Sequence, residues 1–146
     1  MDRLAALILT LAVGALVASQ PPANAALAHH VGDLGAAFVS LLISTVIVVV
    51  VLLVFGDPGR LAGISAFRPE HALGGIAGAA VVAVSLVTVR SLGAGGVTAV
   101  LVAGQLIVAL LLDRFGVLGL PHVQLDWARG LGVALIIAGA VLVTTR

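Results

Sequence analysis

The side chains best placed to do chemistry here are amides and hydroxyls set inside apolar runs. Gln105 stands in VTAVLVAGQLIVALLL, a stretch without a single charge. As part of a membrane helix it is about ten residues in, roughly 15 Å deep at 1.5 Å per residue, near the midplane of a bilayer. An amide buried there without a partner costs roughly 2–7 kcal/mol, so it must face protein, water or a ligand. Thr98 lies seven residues earlier on the same helical face. Gln20 and Asn24 stand four apart, on either side of Pro21-Pro22. Ser40 and Ser44 share a face with Thr45 beside them, and Ser85 and Thr88 add hydroxyls further on. Groups of this kind can hold a small uncharged solute. They also bond helix to helix, at about 0.6 kcal/mol per pair, and residue type alone leaves both readings open. Gln105, Gln20, Asn24, Thr98 and Ser44 are the substrate-binding candidates.

The ionisable groups avoid the same stretches. Asp33, Arg90 and Asp113 fall at the ends of apolar runs and none falls in the middle. A proton relay or ion pathway is usually marked by an ionisable residue at depth, so the pattern argues against an antiporter built on one central carboxylate. Asp113-Arg114 reads as a solvated helix end. Catalysis finds little support. Adjacent His29 and His30 point about 100° apart on a helix, and no second metal-ligand cluster accompanies them. There is no H-E-x-x-H, no phosphate loop after a strand, and no cysteine for a disulfide or thiolate. The expectation is a protein that is not an enzyme and uses neither metal nor cofactor.

The elements that must position these residues follow from composition. Hydrophobic residues make up 62% of 146 positions and charged residues 9%, against about 25% charged in a soluble domain. Mean hydropathy is +1.31. So few charges cannot cover a water-soluble core, and the net charge of +1, carried by scattered arginines, suggests no nucleic-acid partner. The expected fold is all-α: a single transmembrane domain, residues 1–146, with the lipid bilayer as its solvent. Five spans are expected, at about 4–28, 34–56, 72–90, 94–112 and 128–145, each near the roughly 20 residues a bilayer requires. Val46–Val51 is β-branched enough for a strand, but lipid offers nothing to an open strand edge.

Pro21-Pro22 should kink the first helix, because proline lacks the N–H and crowds the preceding turn. Met1-Asp2-Arg3, an apolar run and Ala23-Asn24-Ala25 together imitate a cleavable signal segment. Asp57-Pro58-Gly59-Arg60 signals a turn. Leu61, Ile64 and Phe67, three apart, suit a short interfacial helix or a plain loop. Ser91–Gly96 reads as a tight hairpin, and Asp113 to Asp126, with Gly116, Gly119 and Pro121, as a loop. With five spans, Arg3, Arg60, Arg68, Arg114 and Arg129 fall on one side and Arg90 and Arg146 on the other. The positive-inside rule then places the N-terminus in the cytoplasm and the C-terminus outside. Gly74 and Gly78 on the third span and Gly132 and Gly139 on the fifth would let helices approach closely, within the chain or at a dimer interface.

From Leu92 to Gly119 the chain reads LGAGGVTAVLVAGQLIVALLLDRFGVLG. This resembles the fourth-helix signature of the YdcZ-like family, small proteins of the drug/metabolite transporter (DMT) superfamily. There a glycine- and alanine-rich hairpin leads into V-A-G-Q-L and then L-L-D-x-F-G. Gln20 and Asn24 match a Q-x-x-x-N pattern, Ala37–Ser40 the start of the second helix, and Gly74–Gly78 a G-G-x-x-G opening of the third. GLGVALIIAGAVLV is similar to the glycine-rich last helix. The chain departs from the family at Pro21-Pro22. The resemblance implies a retained first helix, five spans, a bacterial plasma (inner) membrane and a small-solute secondary transporter or exporter. An odd span count turns a second copy over, and inverted repeats around a midplane site are a common transporter design. An antiparallel homodimer, or a heterodimer with an oppositely oriented homologue, is therefore expected. A membrane scaffold without transport and a passive channel predict the same hydropathy.

Overall fold

The computed structural model describes residues 2–116, 122–124 and 126–145, and the elements in them are helical throughout. Helix α1 runs over Arg3–Phe55, α2 over Leu73–Phe115 and α3 over Trp127–Thr144. Two 3₁₀ segments, Pro58–Ala66 and Pro69–Ala72, join α1 to α2. Three helical stretches, Arg3–Phe55, Pro69–Phe115 and Trp127–Thr144, are long and apolar enough to cross a membrane, with mean hydropathy of 3.2, 2.2 and 1.8 in their most apolar windows. None of that window in the first stretch is buried inside the protein.

Where five separate helices are expected, there are three, two of them interrupted once. α1 leaves helical geometry at Gly32 (φ 73°, ψ 166°) and α2 at Gly93 (φ 68°, ψ 167°). This corner of backbone space is open essentially to glycine alone. The interruptions leave arms 3–31, 33–55, 73–92 and 94–115. Each is about 30 Å or more long at 1.5 Å per residue.

At Pro21-Pro22, where a kink is expected, residues 21 and 22 keep helical dihedrals, and the departure at Gly32 falls in the gap expected between spans 4–28 and 34–56. Proline's fixed φ near −65° is already helical, so here it removes a backbone hydrogen bond while the helix continues. The hairpin expected over Ser91–Gly96 is also tighter than read, since helix runs up to Gly93 on both sides. The segment around Leu61 and Ile64 is 3₁₀, with three residues per turn, so those two exposed side chains share an edge. Gly119, Pro121 and Arg146 lie outside the described residues.

The chain divides into two compact units, Met1–Arg90 and Ser91–Arg146. In the first, Ala28, Ala36, Ala37, Val82 and Leu86 form a buried cluster. Alanine dominates because helices in lipid associate by close backbone approach rather than by hiding carbon from water. In the second unit, arm 94–115 and α3 run antiparallel. A Cβ built on Gly96 would sit 3.3 Å from Thr144, near the far end of α3, while Arg129 at the start of α3 reaches Asp113 at 3.4 Å. Asp126 caps α3 by accepting the Arg129 N–H at 2.8 Å.

Candidate functional site

Arm 3–31 turns one stripe into the first unit: Pro21, Asn24 and Ala28, all buried. The spacing of three and four residues keeps them on one helical face. Asn24 is 8% exposed, and its Nδ2 donates to no protein atom among the described residues. A buried amide left unpaired costs about 1–3 kcal/mol by mutational measure. Gln20, one turn earlier, is exposed. Directly before Asn24, Pro21 and Pro22 have no N–H to offer the carbonyls of Val17 and Ala18. The nearest hydroxyl, Ser19, donates instead to Leu16 O at 2.7 Å.

Ser44 belongs to a groove of about 520 Å³ between arm 33–55 and the start of α2, lined by Ser44, Thr45 and Val48 on one side and Gly74, Gly75 and Gly78 on the other. Its hydroxyl donates to Ser40 O at 2.9 Å, and that of Thr45 to Leu41 O at 2.9 Å, so the groove presents mostly carbon. A Cβ at Gly74, Gly78, Gly132 or Gly139 would meet no atom within 4 Å. The close approaches are made by Gly95 and Gly96 in the G-A-G-G run, against Val143 and Thr144 of α3.

Thr98 and Gln105 belong to the second unit. Thr98 is half-buried and donates to Ala94 O at 2.8 Å. Gln105 is exposed in the middle of arm 94–115. Within the first unit Gln20 and Asn24 come together as neighbours one turn apart, with Ser44 on another arm.

Two ion pairs were not foreseen. Arg90, at the end of arm 73–92, grips Asp33 just past the Gly32 interruption through both guanidinium nitrogens, one of them at 3.2 Å. Asp113 and Arg129 make the corresponding tie in the second unit. The signal for both was in the sequence, as opposite charges at the ends of apolar runs. Among the described residues no group of three His, Asp or Glu side chains is gathered to hold a metal ion.

Apolar helices with their side chains turned outward, charges held at helix ends, and uncharged polar groups along the helices define a helical membrane protein. The family model described as "Putative inner membrane exporter, YdcZ" matches residues 5–142, and the chain belongs to that family. Comparison with curated proteins and with solved structures gives no match. The resemblance carried by the G-A-G-G to D-R-F-G run is thus matched over nearly the whole chain.

Proposed function

We propose that this chain is a small-solute exporter subunit of the drug/metabolite transporter superfamily. It works as one transmembrane domain whose five arms (3–31, 33–55, 73–92, 94–115 and 127–144) each cross the bacterial inner membrane. The observation that carries the reading is the pair of glycine interruptions. They fall where charges cluster and cut two apolar helices, otherwise far too long for a bilayer about 30 Å thick, into arms of bilayer length. Five crossings place the N-terminus in the cytoplasm and the C-terminus outside by the arginine bias. A second copy, or a homologue, lies in the opposite orientation to complete an inverted pair. Gly74, Gly78, Gly132 and Gly139, whose absent Cβ atoms nothing within the chain requires, belong to that contact.

Solute is held by uncharged hydrogen-bonding groups. The groups that would do so are Asn24, Gln20 and Ser44 within the first unit and, taken by itself, Gln105 with Thr98 within the second. The exposed amide of Gln105 needs water, solute or a second copy to satisfy it, since acyl chains cannot.

Two experiments test this. The chain has no native cysteine, so Val31→Cys, Ser65→Cys and Leu92→Cys can each be labelled with a membrane-impermeant maleimide. Five crossings expose positions 31 and 92 on the face opposite position 65; unreactive 31 and 92, sealed in hydrocarbon, would leave only three crossings and refute the topology. Reconstitution into liposomes with a panel of metabolites and amines tests transport. A flux that survives Gln105→Ala, Gln20→Ala and Asn24→Ala together would remove the proposed site.

A further inference from the structure

Arm 3–31 sets a buried, unpaired side-chain donor close to a backbone carbonyl that proline leaves without its helical N–H. The donor is Nδ2 of Asn24, without a protein partner at 8% exposure. The acceptor is the carbonyl of Val17, which Pro21 cannot serve; Pro22 likewise frees that of Ala18, which lies six residues from Asn24 and about 120° around the helix. Val17 precedes Asn24 by seven residues, close to two full turns, so the two share a face. Their Cα atoms are about 10 Å apart along the axis at 1.5 Å per residue. Both groups reach inward from there. Helical carbonyls point toward the C-terminus, and a helical side chain leans back toward the N-terminus over the preceding turn. The Pro21 ring, buried on the same stripe, lies between them. Neighbouring hydroxyls do not fill the gap, since Thr10 bonds Ala6 O and Ser19 bonds Leu16 O. Nothing from Leu4 to Ala28 is ionisable, so a permanent charge brought here would be buried unpaired.

We propose that the Pro21-Pro22 turn is a binding site for an uncharged group that carries both a hydrogen-bond acceptor, for Asn24 Nδ2, and a donor, for the Val17 carbonyl. Amides and alcohols have this chemistry. Gln20, exposed one turn from Asn24, stands at the rim. The inference deepens the exporter reading by naming its solute class as neutral and of mixed donor–acceptor character, and it rests on that reading only for the step from binding to transport. The first of the consecutive prolines thereby has a use: it frees the Val17 carbonyl for a ligand on the Asn24 face.

The test exploits the fact that Asn24 is the only asparagine in the sequence. Isotope-labelled asparagine in the full chain, held in nanodiscs, gives one side-chain amide signal. Acetamide is the neutral probe, tetramethylammonium the charged one. The expected result is a saturable shift of the Asn24 amide with acetamide and none with tetramethylammonium. Pro21→Ala combined with Pro22→Ala restores both N–H donors, and circular dichroism checks that the helix persists, because trimming the buried Pro21 ring also leaves a small cavity. The double variant should weaken acetamide at least tenfold. The proposal is overturned if acetamide produces no saturable shift, if the double alanine variant binds it as well as the parent, or if the Asn24 amide reports exchange with water alone. Liposome flux is measured in parallel. Binding without flux would sink the exporter reading and leave the site standing; flux with a silent Asn24 amide would do the reverse.

Discussion

Replacing Gly32 by alanine isolates one physical term. At φ 73° and ψ 166° an L-residue with a Cβ is strained by about 1–3 kcal/mol. A Cβ built there meets nothing within 4 Å, so no clash adds to the cost and no new contact offsets it. The whole effect is backbone strain. Gly14 is the control, because it lies in continuous helix and its Cβ also meets nothing within 4 Å. There alanine should stabilise by about 0.5–1 kcal/mol through helix propensity. One chemical change therefore has opposite signs at two positions of the same arm, separated by about 1.5–4 kcal/mol. Unfolding in mixed micelles by added dodecyl sulfate, followed by circular dichroism, has the resolution for this. Gly93→Ala should behave as Gly32→Ala does. If Gly32→Ala instead tracked Gly14→Ala, helix would continue through residue 32, and the argument from two interruptions to five arms would fail.

Asn24→Leu, without any ligand, should raise the thermal midpoint. It removes an unpaired buried amide and keeps the same branching, a gain of about 1–3 kcal/mol; a lower midpoint that the smaller Asn24→Val also shows would mean that the amide has a partner in the protein. Asp33→Asn and Arg90→Gln in a double-mutant cycle should couple by only about 0.2–1 kcal/mol, because the two side chains remain 38% and 48% exposed. Coupling of about 3 kcal/mol or more would mark a desolvated pair and contradict that exposure. Gly96→Val should cost about 1–3 kcal/mol by overpacking, as even its first carbon comes within 3.1 Å of Leu92 and 3.3 Å of Thr144. Unchanged stability would mean that arm 94–115 and α3 do not meet there.

How far these features are legible in the sequence depends on whether their cause is local. The helical stretches are, because charge-free runs of bilayer length leave hydrocarbon no alternative to helix. Their ends are legible for the same reason: His29, His30 and Asp33 flank the first interruption, and Arg90 precedes the second. The break between the first two spans is legible as well, since Gly32 lies in the expected gap between 28 and 34, whereas Pro21-Pro22 leaves the dihedrals helical. In an apolar setting the helix retains its hydrogen bonds on either side of a proline, while only glycine can take the dihedrals that end it. The polar candidates were identifiable by type but not by facing. Asn24 is buried and Gln20 exposed because arms 33–55 and 73–92 cover one stripe of arm 3–31, and that packing is tertiary. The glycines that permit close approach, Gly95 and Gly96, sit beside others of equal composition that do not, and only the position of α3 tells them apart.

The hydroxyls have a shared habit with a bearing on selectivity. Thr10, Ser44, Thr45, Ser85, Thr88, Thr98 and Thr144 each direct the hydroxyl proton to a carbonyl three or four residues back in their own helix. What remains to face outward is oxygen lone pairs. If solute passes these hydroxyls, as the exporter reading proposes, each offers it an acceptor rather than a donor, and a solute with N–H or O–H bonds to spare is favoured. On the proposed exporter reading, Asn24 and Gln20 in the first unit, and Gln105 in the second, are side chains that could match a carbonyl or ether oxygen.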